Sequence, residues 1–151
     1  MRRQIAGATV AAVLGADVSI AGSRDLVVES AWSRASIGTQ RPSAAYMTIR
    51  NTGTEAVRLI GLRTDLAMMP QVHRTTISKQ GVSSMAPAGE VEIGPGAAVA
   101  LKPGGLHAML MQLTRPMTKG KSFTLTLVFS DGGEIAVNVP ILSLAARGPG
   151  S

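Results

Sequence analysis

The sequence predicts one all-β domain, a β-sandwich or barrel, and three features lead to that prediction. A chain of 151 residues is long enough for one domain with a buried core. Hydrophobic residues make up 45% of it and charged residues 16%, the composition of a folded protein rather than a disordered one. Short segments of strand-forming residues recur between turns that contain Gly and Pro, which is typical of sandwiches and barrels.

The first half of the chain contains five predicted strands, identified by alternating or β-branched residues. Turns are expected at 51–53 and 79–81, where Gly follows polar residues. No convincing helix follows the N-terminal segment, and 65–69 is the one candidate for a single helical turn, ended by Pro70. The five predicted strands are 26–35, 44–51, 56–63, 71–78 and 82–85.

The second half contains five more predicted strands and no convincing helix. The clearest is 123–129, in which Phe123, Leu125, Leu127 and Phe129 fall on one face. The five predicted strands are 91–93, 97–101, 106–113, 123–129 and 134–142.

The N-terminus predicts a signal peptide. Two arginines follow Met1, an apolar run occupies 5–14, and small residues lead to a plausible cleavage site at Ser19-Ile20-Ala21. The apolar run is too short to cross a bilayer, and a buried N-terminal helix is the alternative. We therefore expect export to the periplasm or another extracytoplasmic space. The predicted organisation is a signal peptide over 1–21, a β-sandwich over 22–142 and a flexible tail over 143–151.

Composition excludes several classes of function. The sequence has no cysteine, so disulfides, thiolate metal sites, cysteine nucleophiles and a lipid anchor on a thiol are not expected. The net charge of +6 is spread along the chain and four aromatic residues are scattered through it, so nucleic-acid binding is not expected. No G-x-S-x-G, H-E-x-x-H or phosphate-loop motif is present, and we expect no enzymatic activity.

Histidine and methionine are the candidate metal-binding residues, because the chain has two histidines and eight methionines. Alternation in strand 106–113 places His107, Met109 and Met111 on one face, opposite a core face. His73 and Met85 flank the turn at 79–81, so they approach each other if their strands form a hairpin.

A soft metal suits this set of side chains. Thioethers favour Cu(I), and imidazole suits both Cu(I) and Cu(II). Zinc favours thiolate, imidazole and carboxylate, while magnesium and calcium take oxygen ligands. The candidate metal ligands are His73, Met85, His107 and Met109.

A metal-free domain is the alternative, because methionines commonly fill protein cores and a strand histidine is commonly structural. In that case the protein is a secreted β-sandwich used for adhesion or envelope interaction. Imidazole rings more than about 10 Å apart, with no sulfur between them, would favour this alternative, since metal–ligand bonds are about 2.0–2.3 Å long.

The order and spacing of these residues resemble the PCuAC family of periplasmic copper chaperones. That family's signature is His, about ten residues, Met, 21 residues, then His-x-Met. Here 21 residues separate Met85 from His107, and His107-Ala108-Met109 supplies the His-x-Met. The similarity extends over about 26–142, and other similar segments are 31–35, 44–53, 82–87 and 101–111.

One spacing departs from the family's pattern, because eleven residues rather than ten separate His73 from Met85. An extra residue in the turn at 78–81 is harmless. An extra residue within a strand would reverse the alternation and point one ligand away.

The resemblance implies a cupredoxin-like or immunoglobulin-like β-sandwich, a Greek-key barrel, that binds one copper ion. Cu(I) is the expected state, with Cu(II) as the alternative. The protein would deliver copper to the CuA centre in subunit II of cytochrome c oxidase, or to a Sco-type protein. It would be a monomer, peripheral to a membrane at most. The C-terminal residues 143–151 contain no His or Met, so one copper site is expected.

Overall fold

The computed structural model describes residues 25–149, and these residues form ten strands and no α-helix. None of them belongs to a helix of the length and apolarity that a bilayer span requires. The predicted signal peptide at 1–21 lies outside the described residues. The strands are β1 (Leu26–Arg34), β2 (Ser43–Asn51), β3 (Val57–Arg63), β4 (Ala67–Ile77), β5 (Ser83–Pro87), β6 (Val91–Ile93), β7 (Ala98–Leu101), β8 (Leu106–Leu113), β9 (Ser122–Phe129) and β10 (Glu134–Leu142).

The strands form two packed layers that share one continuous hydrogen-bonded order. That order is β5-β4-β8-β7-β2-β1-β10-β9-β3-β6, with an additional pairing between β8 and β2. One layer runs from β5 to β1, the other contains β10, β9, β3 and β6, and a short parallel pairing of β1 with β10 joins them. The predicted all-β sandwich is confirmed.

The core forms where the inward faces of the two layers meet. Phe123, Leu125, Leu127 and Phe129 of β9 are all buried, as their alternation predicts. Ala108 and Leu110 of β8 are also buried, in the same cluster. Burial of these apolar faces is the main favourable term in folding.

Strand β4 corrects one expectation from the sequence. The candidate helical turn over 65–69 does not form; β4 instead begins at Ala67 and continues through Pro70. Pro70 is opposite Leu110 of β8, whereas β5 pairs with β4 only from His73 onward. The other edge of β4 is therefore free of β5 at Pro70, and a residue that lacks an N–H is tolerated there.

The turn between β4 and β5 accommodates the extra residue without disturbing either strand. The pairing of the two strands runs without a shift from His73 opposite Pro87 to Ile77 opposite Ser83. The loop between them closes through hydrogen bonds of the Ser78 backbone, and Gly81 adopts a φ of 82°. Glycine reaches that left-handed conformation without steric penalty.

The segment after β10 packs against the outer face of the first layer. Ala146, which lies in the tail predicted over 143–151, is buried against Trp32 and Tyr46. Its carbonyl accepts a hydrogen bond of 2.8 Å from Nε of Arg34. The described part of this segment is therefore packed against the sheet at Ala146.

Asn51 fixes the loop after β2 and is 1% exposed. Its side-chain nitrogen donates to the carbonyls of Glu55 at 2.8 Å and Ile93 at 3.0 Å. Its side-chain oxygen accepts from the N–H of Gly53 at 2.9 Å. One buried amide thus joins the loop after β2 to β6.

We expect Asn51→Ala to lower the free energy of unfolding by about 1–3 kcal/mol, because it leaves buried backbone groups without partners. Urea denaturation followed by circular dichroism measures this. Asn138→Ala is the matched control, because Asn138 is exposed on β10. Equal stability of the two variants would contradict the structural role of Asn51.

Candidate metal centre

Strands β4 and β8 bring the two histidines of the chain directly opposite each other. His73 pairs with His107, and two positions away Gln71 pairs with Met109. Opposite residues in an antiparallel pair project from the same face of the sheet. His73, His107 and Met109 therefore share one face, which points away from the core residues Ala108 and Leu110 of β8.

Strand β5 adds Met85 to this face. Met85 is opposite Thr75 of β4, and Thr75 is two residues from His73, so both side chains lie on the face of His73. The extra residue between His73 and Met85 lies in the loop rather than in a strand, and the alternation is preserved. The structure thus brings all four residues predicted as metal ligands to the same face.

The two imidazole rings lie close enough for one ion to contact both. Their centroids are 6.2 Å apart and their planes are inclined by 55°. An ion bonded to both rings would stand roughly 3 Å from each centroid, given metal–nitrogen bonds of about 2.0–2.1 Å. The separation is well below the 10 Å that would favour a metal-free domain.

Hydrogen bonding fixes which nitrogen of His107 is free. His107 is 3% exposed, and its Nδ1 lies 3.1 Å from the carbonyl oxygen of Gly105. A carbonyl can only accept, so Nδ1 carries the proton, and in the neutral ring Nε2 then carries the lone pair. That Nε2 is buried and has no hydrogen-bond partner. The Gly105 carbonyl also accepts from the backbone N–H of Thr75 at 3.1 Å, which connects β4 to the loop before β8.

In His73 the two ring nitrogens have exchanged roles relative to His107. Its Nε2 lies 3.2 Å from Oε1 of Gln71, so Nε2–H is the donor. Its Nδ1 is buried without a hydrogen-bond partner. Burial lowers the pKa of the His73 imidazole, and the neighbouring His107 ring lowers it further. Both effects favour the neutral ring, the form that binds metal.

The thioethers lie at the margin of an open cavity of about 320 Å³, which Met85, His107 and Met109 line together. Met85 is 55% exposed, whereas Met109 is half-buried and His107 is buried. The site therefore has a buried imidazole at its base and an exposed thioether at its rim.

The donors on this face suit a soft cation. No three His, Cys, Asp or Glu side chains between residues 25 and 149 cluster in a way that could hold a metal ion. The imidazoles of His73 and His107 would have to be joined by the thioethers of Met85 and Met109. Two imidazoles and two thioethers form a neutral set that favours Cu(I) over zinc or calcium.

Three further methionines lie farther along the same two strands. Met69 is opposite Met111, and Nε2 of Gln112 donates a 3.0 Å hydrogen bond to the Met69 sulfur. Met68 is 73% exposed. The structure thus pairs Met69 with Met111 beyond Met109, and Met68 lies at the surface.

The sequence interpretation missed the groups that orient the two rings. Gln71 lies two residues before His73 and Gly105 two residues before His107. Alternation could have identified Gln71 as a neighbour of His73 on the same face. No sequence signal identifies a backbone carbonyl as the partner of His107, because that contact depends on the loop between β7 and β8.

Comparison of the sequence with known proteins identifies one matching family and two relatives that are more than 30% identical. The family described as "Putative lipoprotein LpqE-like" matches residues 26–141. "Putative lipoprotein Lxx21020" of Leifsonia xyli subsp. xyli (strain CTCB07) is 35% identical over 115 residues, 76% of this chain and 68% of the relative. "Uncharacterized protein RP573" of Rickettsia prowazekii (strain Madrid E) is 31% identical over 117 residues, 73% of this chain and 62% of the relative. The chain spans about two thirds of these relatives' length.

Solved structures of PCuAC domains have the same fold. The apo PCuAC domain of PmoF2 has a TM-score of 0.67 and 23% identity, covering 86% of this chain and 97% of that domain. The Cu(I) form of DR1885 from Deinococcus radiodurans has a TM-score of 0.58 and 31% identity, covering 77% of this chain and 76% of that one. The copper-bound PCuAC domain of PmoF2 has a TM-score of 0.65 and 22% identity, covering 83% of this chain and 97% of that domain. The resemblance to the PCuAC family is confirmed.

We expect the metal-free protein to hold its two histidines in opposite tautomers, because their hydrogen-bond acceptors contact different ring nitrogens. His107 should be protonated at Nδ1 and His73 at Nε2. Long-range proton–nitrogen correlation spectra at about pH 8, above the usual histidine pKa, measure both. Gln71→Ala should release His73 into a tautomer mixture and leave His107 unchanged as the internal control. His73 protonated at Nδ1 in the unmodified protein would contradict this arrangement.

Proposed function

The chain belongs to the LpqE-like family, and on that premise we propose that it is a copper chaperone that carries one Cu(I) ion. The ion would bind on the sheet face that the two histidines share with Met85 and Met109, which we call the His/Met face. The ligands in this proposal are His73, Met85, His107 and Met109. Copper-bound structures of two proteins with the same fold support copper as the cargo.

The observation that carries the proposal is the pair of buried ring nitrogens without partners. Nε2 of His107 and Nδ1 of His73 belong to directly opposed residues and are not satisfied by the protein. A buried polar atom without a partner is destabilising unless another group uses it. A metal ion between the two rings would use both lone pairs at once.

Each ligand has a distinct part in this proposal. His107 is held by the Gly105 carbonyl and would provide a fixed attachment at the base of the site. His73 is oriented by Gln71 in the same way. Met109 and Met85 would complete the coordination with soft donors that stabilise Cu(I). All four donors are neutral, so the loaded site would keep the ion's single positive charge.

Release would proceed by ligand exchange from the exposed rim. Met85 is 55% exposed and lies on the short strand β5, so a partner's ligand could replace its sulfur first. The half-buried Met109 would follow, and the buried His107 would leave last. Such stepwise replacement transfers an ion without a free intermediate and requires no change in its oxidation state.

The receiving partner in this proposal is a copper-binding protein of the periplasm. The resemblance to PCuAC proteins points to a Sco-type protein or to the CuA centre in subunit II of cytochrome c oxidase. The net charge of +6, which stays positive without residues 1–21, would favour docking on an acidic surface. Export is supported by relatives described as lipoproteins and by the predicted signal peptide at 1–21.

The competing function is a metal-free adhesion or envelope interaction domain. A metal-free domain does not require the two histidines to lie close together, whereas their ring centroids are only 6.2 Å apart. The absence of Cu(I) binding by the purified protein would favour that alternative.

We expect the protein to bind one equivalent of Cu(I), and His107→Ala or Met109→Ala to weaken binding by more than about tenfold. Groups that only orient a metal ligand already change affinity by about 10–100-fold, and these variants remove a ligand itself. Anaerobic titration against a chromogenic Cu(I) chelator measures the affinity, and X-ray absorption counts the sulfur neighbours.

Met68→Ala is the matched control for this titration, because it removes an exposed thioether that lies outside the cavity. It should bind Cu(I) like the unmodified protein. Unchanged binding in both His107→Ala and Met109→Ala would reject the assignment of the site.

We also expect the loaded protein to pass Cu(I) to an apo Sco-type protein under anaerobic conditions. Metal analysis after separation by ion exchange measures the transfer. Met85→Leu should retain Cu(I) less tightly and release it faster, because it removes the exposed sulfur while keeping a similar side-chain volume. Retention of all copper on the carrier at equilibrium would reject a Sco-type protein as the acceptor.

A further inference from the structure

The cavity beside the His/Met face has a second wall that the proposed copper site does not use. Arg34 of β1 and Tyr46 of β2 line the same space of about 320 Å³ as His107 and Met109 of β8. The pairing of β2 with β8, in which Ala44 is opposite Met109, places these strands side by side. The volume lies at the lower end of the range of small-molecule sites, which is about 300–1,000 Å³.

Arg34 is fixed in this wall by several contacts. Its guanidinium carbon is 5.8 Å from the centroid of the Trp32 ring and 5.6 Å from that of the Tyr46 ring. Its Nε donates to the Ala146 carbonyl at 2.8 Å, and its Nη1 donates to the Tyr46 hydroxyl oxygen at 3.5 Å. These contacts hold the guanidinium in place before any ligand arrives, which reduces the entropic cost of binding.

The positive charge of Arg34 is not neutralised within the described part of the chain. No Asp or Glu among residues 25–149 forms an ion pair with it, and no Asp or Glu lines the cavity. A guanidinium has five N–H donors, and the two contacts above use two of them. A half-buried cation with free donors is an attractive position for an anion.

The Tyr46 hydroxyl adds a neutral donor beside the guanidinium. Burial raises the pKa of Tyr46, and the charge of Arg34 offsets part of that effect. The phenol therefore keeps its proton at neutral pH. Its oxygen accepts from Arg34, which leaves its O–H free to donate.

We propose that this cavity binds a small carboxylate, held by the guanidinium of Arg34 and the hydroxyl of Tyr46. A planar carboxylate matches the fork of a guanidinium, and its second oxygen can accept from the phenol. The carboxylate would lie in the same cavity as His107 and Met109. The two side chains that would hold the carboxylate belong to β1 and β2 and are not among the four proposed metal ligands.

The consequence for copper rests on the proposed function. A Cu(I) ion with four neutral ligands has a charge of +1, and Arg34 places a second positive charge on the same cavity. A bound carboxylate would offset this repulsion, so carboxylate and Cu(I) should each favour binding of the other. By linkage, the two affinities increase by the same factor.

The experiment titrates succinate into the ¹⁵N-labelled metal-free protein and follows amide chemical shifts. We expect saturable shifts at Gly104, Thr75 and Met109, which line the cavity. Succinamide, which has the same shape but no charge, should produce none. Arg34→Gln should weaken succinate binding by about tenfold to a hundredfold, as the loss of a charge-assisted hydrogen bond predicts.

Two further variants separate a lost ligand contact from a lost fold. Tyr46→Phe keeps the ring that stacks on Arg34 and should weaken succinate binding without altering thermal stability. Arg50→Gln removes the same charge from an exposed arginine paired with Glu29 outside the cavity, and it should bind succinate normally.

Repeating the titration with Cu(I)-loaded protein tests the coupling and should give tighter succinate binding. Succinate binding without Cu(I) binding would reject the copper function and leave the carboxylate site standing. Cu(I) binding without saturable succinate shifts in either form would overturn the carboxylate site alone. Equal weakening by Arg34→Gln and Arg50→Gln would also overturn it, because the effect would then be one of net charge.

Discussion

The register of β4 against β8 is the constraint on which the rest of the candidate site depends. It sets His73 opposite His107 and Gln71 opposite Met109. A shift of β4 by one residue would turn His73 towards the core and bring the buried Val72 to the other face. Burial of Val72 on β4, and of Ala108 and Leu110 on β8, therefore opposes such a shift and preserves the geometry of the His/Met face. Core packing and the candidate site are two consequences of the same pairing.

Hydrogen bonds then fix the tautomer of each imidazole, so that each ring presents one nitrogen lone pair. The Gly105 carbonyl accepts a hydrogen bond from Nδ1–H of His107, and the Gln71 amide oxygen accepts one from Nε2–H of His73. An imidazole without such partners would divide its population between two tautomers. Fixing each ring in advance reduces the reorganisation that metal binding requires. The two ring nitrogens that remain are buried without hydrogen-bond partners, which destabilises the fold. Functional sites commonly retain such local destabilisation.

In the proposed copper site, unequal exposure of the four candidate ligands would allow the protein both to hold an ion and to release it. The buried His107 lies at the base, whereas Met85 is on β5, whose residues are all exposed. Thioethers exchange readily because they are weak, uncharged donors, and a rim position lets a partner's ligand approach them. The guanidinium of Arg34 in the same cavity adds a charge that the neutral ligand set cannot balance. Affinity at this site would therefore depend on anions as well as on the four ligands.

The sequence by itself determined the strand pattern, the face of β8 that carries His107 and Met109, and the choice of imidazole and thioether donors. Alternation within one strand is a local property, so it can be read without knowledge of the fold. Tertiary structure decided that β4 lies between β5 and β8, that Pro70 is inside a strand, and that Arg34 and Tyr46 border the same cavity as His107. These outcomes depend on which distant strands pair, and that pairing is selected by burial of the whole core rather than by any single segment.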